Sequence, residues 1–556
     1  MKNRLLIAST LLLILSCVYK LAFASETDEY TSIGSIRYIV MVPSSPAQQI
    51  SVDMRIFRSK ETQDNAYSGA LFYHDNVNLT EIKVFTDAGT EVPYFNRGGG
   101  IMITLPKNYA DIKYTVKLSE LSKHGHQGIQ TAHNVLFAGE QVFMVPFREK
   151  MKEMSIEFKI PEGWNVFAGG IKNNKIVKKN TEWFDIYSIL KNCYAFGNFK
   201  KQSYKNKNGK LNIWYPGTEL TPENIGIISN NSYKMFNYFT NLFGKAIKRY
   251  DIFILSSAQD GKKVFCGSGD SSMASTVIFN DSRDWQLMAH RMAHSFFDNF
   301  IKYKKVHAPP NLWLLEAITT YYENAAMGNG DYTELTSQEG FAELYRRYIF
   351  LRTTNPEFSS IKPIDDEQLL SSAENEFLHY TQAPLLLLAM EDHINKLKDT
   401  KNGNYLLKWC IENSKNTVLI DNMLDSFNIY MGGALDGFIE DYVKNNRFVV
   451  LWDHFKNIKE NPGKIAEQFA YFDDVLSSWY RVSNQTYEKH DFTLEGIEDI
   501  IMKAENEKVV IPDAMLAAGL KDFSPTVYKL LIKHFYSKKA IKDIEIKDIK
   551  VKSIKK

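Results

Sequence analysis

Short segments in which apolar and polar residues alternate run through the first third of the chain. Residues 50–56, Ile-Ser-Val-Asp-Met-Arg-Ile, alternate strictly. This is the pattern of a strand with one buried face. Glycine-rich turns such as 96–100 separate the segments. The pattern predicts an antiparallel β-sandwich of about 170 residues, and further β-rich segments occupy 36–42, 81–85 and 113–118.

The pattern changes after about residue 211, where one or two strands such as 250–255 precede helical periodicity. In residues 284–300, apolar side chains recur at the spacings of a helix. A second predicted helix follows Pro309-Pro310-Asn311 and extends to Tyr322, and a third covers about 375–397. Helical spacing continues to about residue 534. The lysine-rich tail, 538–556, alternates only in part and predicts an edge strand or a frayed end.

The amino terminus has the organisation of a secretory signal peptide. A basic head of four residues precedes an apolar segment, 5–19, and Ala22-Phe23-Ala24 forms a cleavage pattern. An anchor helix that stays uncleaved is the alternative, but Lys20 interrupts the segment, which is short for a span of about 20 residues. Cys17 lies in a sequence similar to a lipoprotein cleavage site. We therefore expect an exported protein without a transmembrane span after cleavage, either periplasmic or secreted, or alternatively a lipoprotein anchored at Cys17.

Composition narrows the classes of protein further. Of the 556 residues, 44% are apolar and 24% charged, which excludes a disordered chain, a collagen and a multi-span membrane protein. The 67 basic and 65 acidic residues nearly balance, so nucleic acid is not an expected partner. Beyond Cys17, three widely spaced cysteines allow one disulfide at most, and the absence of a Cys-x-x-Cys pair excludes a thiolate zinc cage.

Two histidines lie four residues apart in the predicted helix, in the segment His-Arg-Met-Ala-His at 290–294. At this spacing both imidazoles lie on one helix face, which is how such pairs hold zinc. A helical histidine pair is a weak indication by itself, because core and surface histidines also show this spacing. Glu316, which lies 22 residues after His294 on the next predicted helix, offers a third ligand. His290, His294 and Glu316 would form a zinc site with one open position.

Here the sequence resembles the gluzincin metallopeptidases, and within them the glycyl-aminopeptidase type, with the leucine and alanyl aminopeptidases as more distant relatives. The resemblance covers about residues 30–450 and rests on the histidine helix and on three further segments. These are Leu-Trp-Leu-Leu-Glu-Ala-Ile-Thr-Thr-Tyr-Tyr at 312–322, His-Tyr-Thr-Gln-Ala at 379–383 and Gly-Ser-Gly-Asp-Ser at 267–271.

The resemblance implies a multidomain α+β fold and a set of site residues. It makes His290, His294 and Glu316 zinc ligands and gives Tyr380 a hydrogen bond to the oxyanion. Gly267, Gly269 and Asp270 would lie on the substrate-binding strand, with Asp270 facing the substrate amine. The expected domains are a signal peptide (1–24), an N-terminal β-sandwich (25–205), a thermolysin-like peptidase domain (206–400) and an α-helical C-terminal region (401–556).

The departures from the family concern the catalytic machinery. Arg291 occupies the position of the glutamate that acts as general base. Arginine stays protonated and cannot accept a proton, and a general base contributes about 10²–10⁴-fold in rate. Asp270 is one methylene shorter than the family's glutamate, and Gln382 replaces a lysine. Asp270 is a weak candidate for a substitute base, and Glu323, seven residues after Glu316, is expected to be a solvated charge.

Three functions follow from these observations. The first is an exported homologue of zinc aminopeptidases that is catalytically impaired and binds peptides or a protein partner in the former active-site cleft. The second is an active zinc aminopeptidase with an unorthodox base. The third is a structural or interaction protein without metal. Arg291 separates the first function from the second, and metal content separates both from the third.

Overall fold

The protein is described by a computed structural model. Contacts divide the chain into two compact units, Met1–Gly197 and Asn198–Lys556, and the division into domains made from the sequence stays a prediction. The predicted signal peptide, Cys17 and the segment with Gly267, Gly269 and Asp270 lie outside the described residues. The structure describes residues 33–45, 48–60, 68–73, 79–97, 100–118, 128–130, 132–146, 151–168, 171–181, 189–190, 192–205, 209–216, 222–254, 282–303, 311–329, 337–368, 372–400, 403–482, 485–512 and 514–554.

The first unit is built from strands, as the alternating sequence predicts. Every second side chain of Ile50–Arg58 is buried, since Ile50, Val52, Met54 and Ile56 face the core. In chain order, β1 to β15 are Ile33–Met41, Ile50–Arg58, Ser68–Tyr73, Leu79–Thr86, Glu91–Val92, Phe95–Arg97, Gly100–Leu105, Tyr109–Val116, Ile129–Gln130, Asn134–Ala138, Val145–Pro146, Met151–Lys159, Asn165–Phe167, Lys175–Thr181 and Cys193–Gly197, and a 3₁₀ turn covers Gly139–Gln141.

These strands form three sheets, with the orders β14-β12-β1-β2-β8-β4-β5, β13-β15-β10-β9 and β11-β3-β7-β6. The pairing is antiparallel with one exception, because β1 and β12 run parallel. Buried aromatic rings fill the core, and the Phe137 ring stacks on those of Tyr194 and Phe196 at centroid distances of 5.2 and 5.4 Å. The Tyr38 hydroxyl in this core donates a hydrogen bond to the Met144 carbonyl at 2.8 Å.

The second unit begins with a small sheet and continues as helices. Strands β16 and β17 are antiparallel, and β17 and β18 are parallel. The strands β16 to β18 are Phe199–Lys205, Lys210–Pro216 and Tyr250–Phe253. The helices α1 to α16 are Pro222–Phe243, Ser282–Phe300, Leu312–Asn329, Ser337–Thr354, Pro356–Ser360, Ser372–Phe377, Ala383–Leu397, Tyr405–Glu412, Thr417–Asp421, Met423–Tyr430, Asp436–Phe438, Trp452–Phe455, Pro462–Val482, Ile497–Asn506, Ala514–Phe523 and Pro525–Ile554, with a 3₁₀ turn at Pro363–Gln368 and π-helical turns at Leu378–Gln382 and Ile439–Lys444.

Helix α2 is buried on two opposite sides. Met288, Met292 and Phe296 form one apolar stripe, and Phe296 packs on aromatic side chains of α1. His290 and His294 lie two residues further along each turn, about 200° round the helix. This opposite side packs against α3, so the fold brings the histidine face of α2 to the neighbouring helix.

The predicted α+β class, with a β-rich N-terminal part and a helical C-terminal region, is confirmed. The tail is an exception, since α16 extends to Ile554 where an edge strand or a frayed end was expected. Residues 526–554 contain neither glycine nor proline, so nothing in their composition ends the helix. Within the described ranges, no helix is both long and apolar enough to cross a membrane.

Candidate metal centre

The three predicted ligands converge at the contact between α2 and α3. His290 and His294 come from successive turns of α2, and Glu316 comes from the second turn of α3. The residues are 5%, 6% and 8% exposed. Buried ionisable groups require partners, and here the partners are one another. The contact between α2 and α3 therefore places all three side chains at one buried point.

The distances between the ligand atoms suit a single small cation. Glu316 Oε2 lies 3.1 Å from His294 Nε2 and 3.4 Å from His290 Nε2. One ligand atom from each residue lies within 4.8 Å of the others. A tetrahedral zinc site with bonds of 2.0–2.1 Å has edges of about 3.3 Å. Two imidazole nitrogens and one carboxylate oxygen are also the donor types that zinc binds, so the residues fit the metal.

Glu323 was expected to be a solvated charge, and this expectation is wrong. The side chain is buried, with 7% of the residue exposed, and its Oε2 lies 2.8 Å from His290 Nδ1. Glu316 and Glu323 thus flank the two edges of one imidazole ring. A carboxylate on the outer nitrogen of a metal-binding histidine fixes the ring orientation and directs the other nitrogen towards the metal.

The two histidines differ in their ionisation. Burial alone would lower the pKa of His290, but its hydrogen bonds with Glu316 and Glu323 and the charges of both carboxylates outweigh burial and raise the pKa to about 9. Burial lowers the pKa of His294 below its ordinary value, although Glu316 opposes this. Burial acts to raise the pKa of Glu316, but the two histidines lower it well below its ordinary value. At neutral pH the metal-free centre therefore holds His290 as an imidazolium, His294 as a neutral imidazole and Glu316 as a carboxylate.

Arg291 lies next to His290 on α2 and is half-buried. Its charge acts on two tyrosine hydroxyls. Burial raises the pKa of Tyr250 and that of Tyr380, and the positive charge of Arg291 opposes both shifts. The guanidinium is therefore within electrostatic range of the Tyr380 hydroxyl.

Tyr380 lies on the π-helical turn Leu378–Gln382, and such turns are frequent at functional sites. Its ring centroid is 5.7 Å from that of His290. Two hydrogen bonds hold this turn, one to its backbone and one from a side chain. Arg347 Nη2 donates to the Tyr380 carbonyl at 3.0 Å, and Gln382 Nε2 donates to Asn446 Oδ1 at 2.7 Å. Tyr380 thus reaches the ligand cluster from a rigid support.

A buried carboxylate connects this turn with the helix that carries Glu316. Asp366 Oδ1 lies 2.6 Å from His379 Nε2, and Asp366 Oδ2 accepts a hydrogen bond from the backbone N–H of Trp313 at 3.0 Å. Trp313 lies in the first turn of α3, where backbone N–H groups have no helical partner. Asp366 therefore stabilises α3 and the π-helical turn together, and no feature of the local sequence pattern indicated this.

The structure thus brings together His290, His294 and Glu316 and places the Tyr380 ring beside His290. The charge of Arg291 lies within electrostatic range of Tyr380. Gly267, Gly269 and Asp270 lie outside the described residues, so their predicted contact with substrate stays a prediction. Sequence reasoning missed Glu323 because a position seven residues after Glu316 lies too far along the helix to be a metal ligand. A carboxylate seven residues along the helix reaches the far edge of an imidazole ring, not the metal.

We expect the substitution Glu323→Gln to weaken zinc binding by about 10–100-fold, the usual effect of losing an outer carboxylate. The amide keeps the shape but not the charge that holds His290. The dissociation constant is measured by competition with a chromophoric chelator. Glu505→Gln, on an exposed position of α14, is the matched control and should bind zinc as the wild type does. Equal affinity of all three proteins would contradict this role of Glu323.

Zinc binding should release one proton at pH 7. The pKa of His290 is raised to about 9 in the metal-free centre, so His290 must lose a proton to become a ligand. His294 and Glu316 are already in their metal-binding forms, because both pKa values are lowered. The apparent affinity should therefore rise about tenfold per pH unit from pH 7 and level off near pH 9. Zinc titration in two buffers of different ionisation enthalpy counts the protons, and a count of zero would contradict this assignment.

Comparisons with known proteins agree with this architecture. No family model and no curated protein matches the chain. Among solved structures, an aminopeptidase N family protein from Idiomarina loihiensis is similar, with a TM-score of 0.52 and 11% identity over 76% of this chain and 78% of that one. An M1 zinc metallopeptidase from Deinococcus radiodurans has a TM-score of 0.46 and 12% identity over 76% of this chain and 95% of its own, too distant to support an argument. The chain therefore shares the fold of an aminopeptidase N family protein.

Proposed function

We propose that this chain is an exported zinc-binding homologue of aminopeptidases that binds peptides, or a segment of a protein partner, in its cleft and has lost most hydrolysis. The proposal rests on one combination: the chain has side chains that suit zinc, and it has Arg291 at the position of the general base. His290, His294 and Glu316 have the donor atoms and spacings of a zinc site. Arg291 stands where the general base is expected.

The remaining side chains can still bind and orient a peptide. When bound, zinc supplies a Lewis acid that polarises a carbonyl oxygen. Glu323 holds the His290 ring through Nδ1 at 2.8 Å. Tyr380 keeps its proton, because burial and the negative charges of Glu316 and Glu376 raise its pKa well above the ordinary value. In the metal-free centre its hydroxyl hydrogen-bonds Glu316, and we propose that it donates to a carbonyl oxygen of the ligand when zinc engages Glu316.

Proton transfer is the step for which this arrangement lacks a group. Hydrolysis of an amide needs a base that takes a proton from the attacking water and delivers it to the leaving amine. A guanidinium such as that of Arg291 has only hydrogen-bond donors and cannot serve as a base. Glu316 and Glu323 are both engaged with histidines. Binding without efficient turnover follows from this set of side chains.

A second candidate, an active zinc aminopeptidase with an unorthodox base, is favoured by Glu376. This half-buried glutamate lies on α6, four residues before Tyr380, so the two side chains share a helix face. Burial raises the pKa of Glu376 to about 7, against the opposing charges of Arg347 and His379, while the negative charge of Glu316 adds to the rise. A carboxylate with a pKa near the working pH is suited to general-base catalysis.

Export is a separate part of the proposal. It is supported by the basic head, the apolar segment and the Ala-Phe-Ala pattern of the first 24 residues. Cell fractionation of the full chain, with and without these residues, tests it independently of the metal centre. Retention of the full chain in the cytoplasm would contradict export but not the proposed binding function.

The zinc-loaded wild type should release a fluorophore from aminoacyl reporter substrates only at a residual rate. Arg291→Glu should gain about 10²-fold in rate, since a positioned base contributes about 10²–10⁴-fold. Arg447→Glu, an exposed arginine whose side chain is 67% accessible, is the matched control and should gain nothing.

Robust zinc-dependent turnover by the wild type would contradict the proposed loss of hydrolysis. In that case Glu376→Gln decides the second candidate. Loss of turnover in this variant would assign the base to Glu376, and unchanged turnover would exclude it.

A further inference from the structure

Two imidazole rings lie side by side where the C-terminal helix α16 packs on the rest of the second unit. His534 belongs to α16, and His490 lies in the segment between α13 and α14. The two ring centroids are 5.2 Å apart. Both rings face Phe350 of α4, at centroid distances of 5.1 Å for His490 and 6.5 Å for His534. The proposed metal centre does not use this pair, which connects α16 with the core beneath it.

The two rings differ in their partners. His490 Nδ1 lies 2.7 Å from Asp473 Oδ1, and the backbone N–H of His490 donates to Asp473 Oδ2 at 3.0 Å. The Tyr487 hydroxyl also donates to this carboxylate, at 2.7 Å. The ring of His534, in contrast, contacts aromatic rings, and no described residue forms a hydrogen bond or an ion pair with it. A proton on His534 therefore has no contacting carboxylate while α16 is docked.

The charged side chains that adjoin the pair are already matched with one another. The ion pairs on α16 and on the neighbouring segment are Lys529 with Glu498, Lys533 with Asp491, Lys538 with Glu488, Lys539 with Glu507 and Lys489 with Asp474. On α4, the guanidinium of Arg346 lies over the Phe523 ring at 5.2 Å. Four of these ion pairs fasten α16, and none of their carboxylates is free to offset a charge on His534.

The proton balance of His534 makes the docking of α16 dependent on pH. Burial, followed by the charges of His490 and Lys538, lowers the pKa of His534 to about 4, against the opposing charge of Glu488. In water an imidazole has a pKa of about 6.5. The released helix therefore binds the proton more readily than the docked helix, so acid favours release. The effect begins as the pH falls through about 6.5 and levels off near about 4.

The ion pairs nearest to His534 keep their charges over much of this range. The hydrogen bond with Lys538 lowers the pKa of Glu488 below its ordinary value. Burial acts to raise the pKa of Asp491, but the hydrogen bonds with Lys533 and Thr493 outweigh burial and lower it. Both carboxylates therefore stay ionised at pH 5, where a released His534 is already protonated.

We propose that the contact between His490 and His534 is an acid-sensitive device, which keeps α16 docked at neutral pH and releases it when His534 gains a proton. Release uncovers Phe350, whose helix α4 also carries Arg347. Arg347 Nη2 donates to the Tyr380 carbonyl at 3.0 Å, so α16 packs on the helix that supports the π-helical turn of the candidate site. Neither zinc nor a peptide takes part in the release.

Hydrogen–deuterium exchange of the full chain at pH 7 and pH 5 tests the release. The rates are corrected for the intrinsic pH dependence of amide exchange and converted to protection factors. Residues 525–539 of α16 should lose about tenfold in protection between pH 7 and pH 5. Residues 222–243 of α1 are the internal reference and should change less than twofold, because the opening is local.

A substitution of His534 attributes the release to this side chain. His534→Phe keeps an aromatic ring but cannot be protonated, so residues 525–539 should keep their protection within twofold from pH 7 to pH 5. His393→Gln is the matched control, since His393 lies on α7 with its Nε2 3.3 Å from the Ala434 carbonyl. This variant should lose protection in α16 as the wild type does.

The outcomes decide the inference as follows from the two pH values. Unchanged protection of residues 525–539 in the wild type at pH 5 overturns the release. An equal loss of protection in α1 shows acid unfolding of the whole unit and overturns it as well. A loss in His534→Phe as large as in the wild type overturns the role of His534. The first two results need only the wild type, so a variant that fails to fold does not remove the test.

Discussion

The second half of the structure depends on one buried carboxylate oxygen between two imidazoles. Glu316 Oε2 lies 3.1 Å from His294 Nε2 and 3.4 Å from His290 Nε2. Three ionisable groups can be buried at the contact of α2 and α3 only because each is a partner of the others. Glu323 extends this network to the far side of His290, and Asp366 fixes the start of α3. The contacts that pack α2 against α3 are thus the same contacts that bring the three candidate metal ligands together.

Under the proposed function, Arg291 changes what such a centre can do without disturbing how it is built. The residue lies between the two ligands in sequence, but the face of α2 that meets α3 is formed by His290 and His294. Replacing a base by a guanidinium removes a proton acceptor and reverses a charge. The ligand geometry and the tyrosine donor remain. Under the proposed function, the chain retains the means to bind a peptide carbonyl and loses the step that needs a base.

Much of the fold could be predicted from the sequence, because burial patterns are local. Ile50–Arg58 alternates strictly, and the structure buries its apolar residues as the pattern requires. The helices of the ligands were predicted for the same reason. The parallel pairing of β1 with β12 could not be foreseen, since local alternation contains no information on which strands become neighbours. The π-helical turn at Leu378–Gln382 was likewise taken for ordinary helix, because a single wider turn leaves no mark in the periodicity. Glu323 shows that a helix position far from a metal can still contact a ligand of that metal.

The central claim is that two histidines and one glutamate form a metal centre in this chain. The measurement that tests it most directly is the zinc content of purified protein by mass spectrometry, for the wild type and for His294→Ala. The substitution removes one ligand while Glu316 and His290 remain 3.4 Å apart. The account predicts one zinc ion per wild-type chain and much less in the variant. Equal and negligible zinc in both proteins would contradict it.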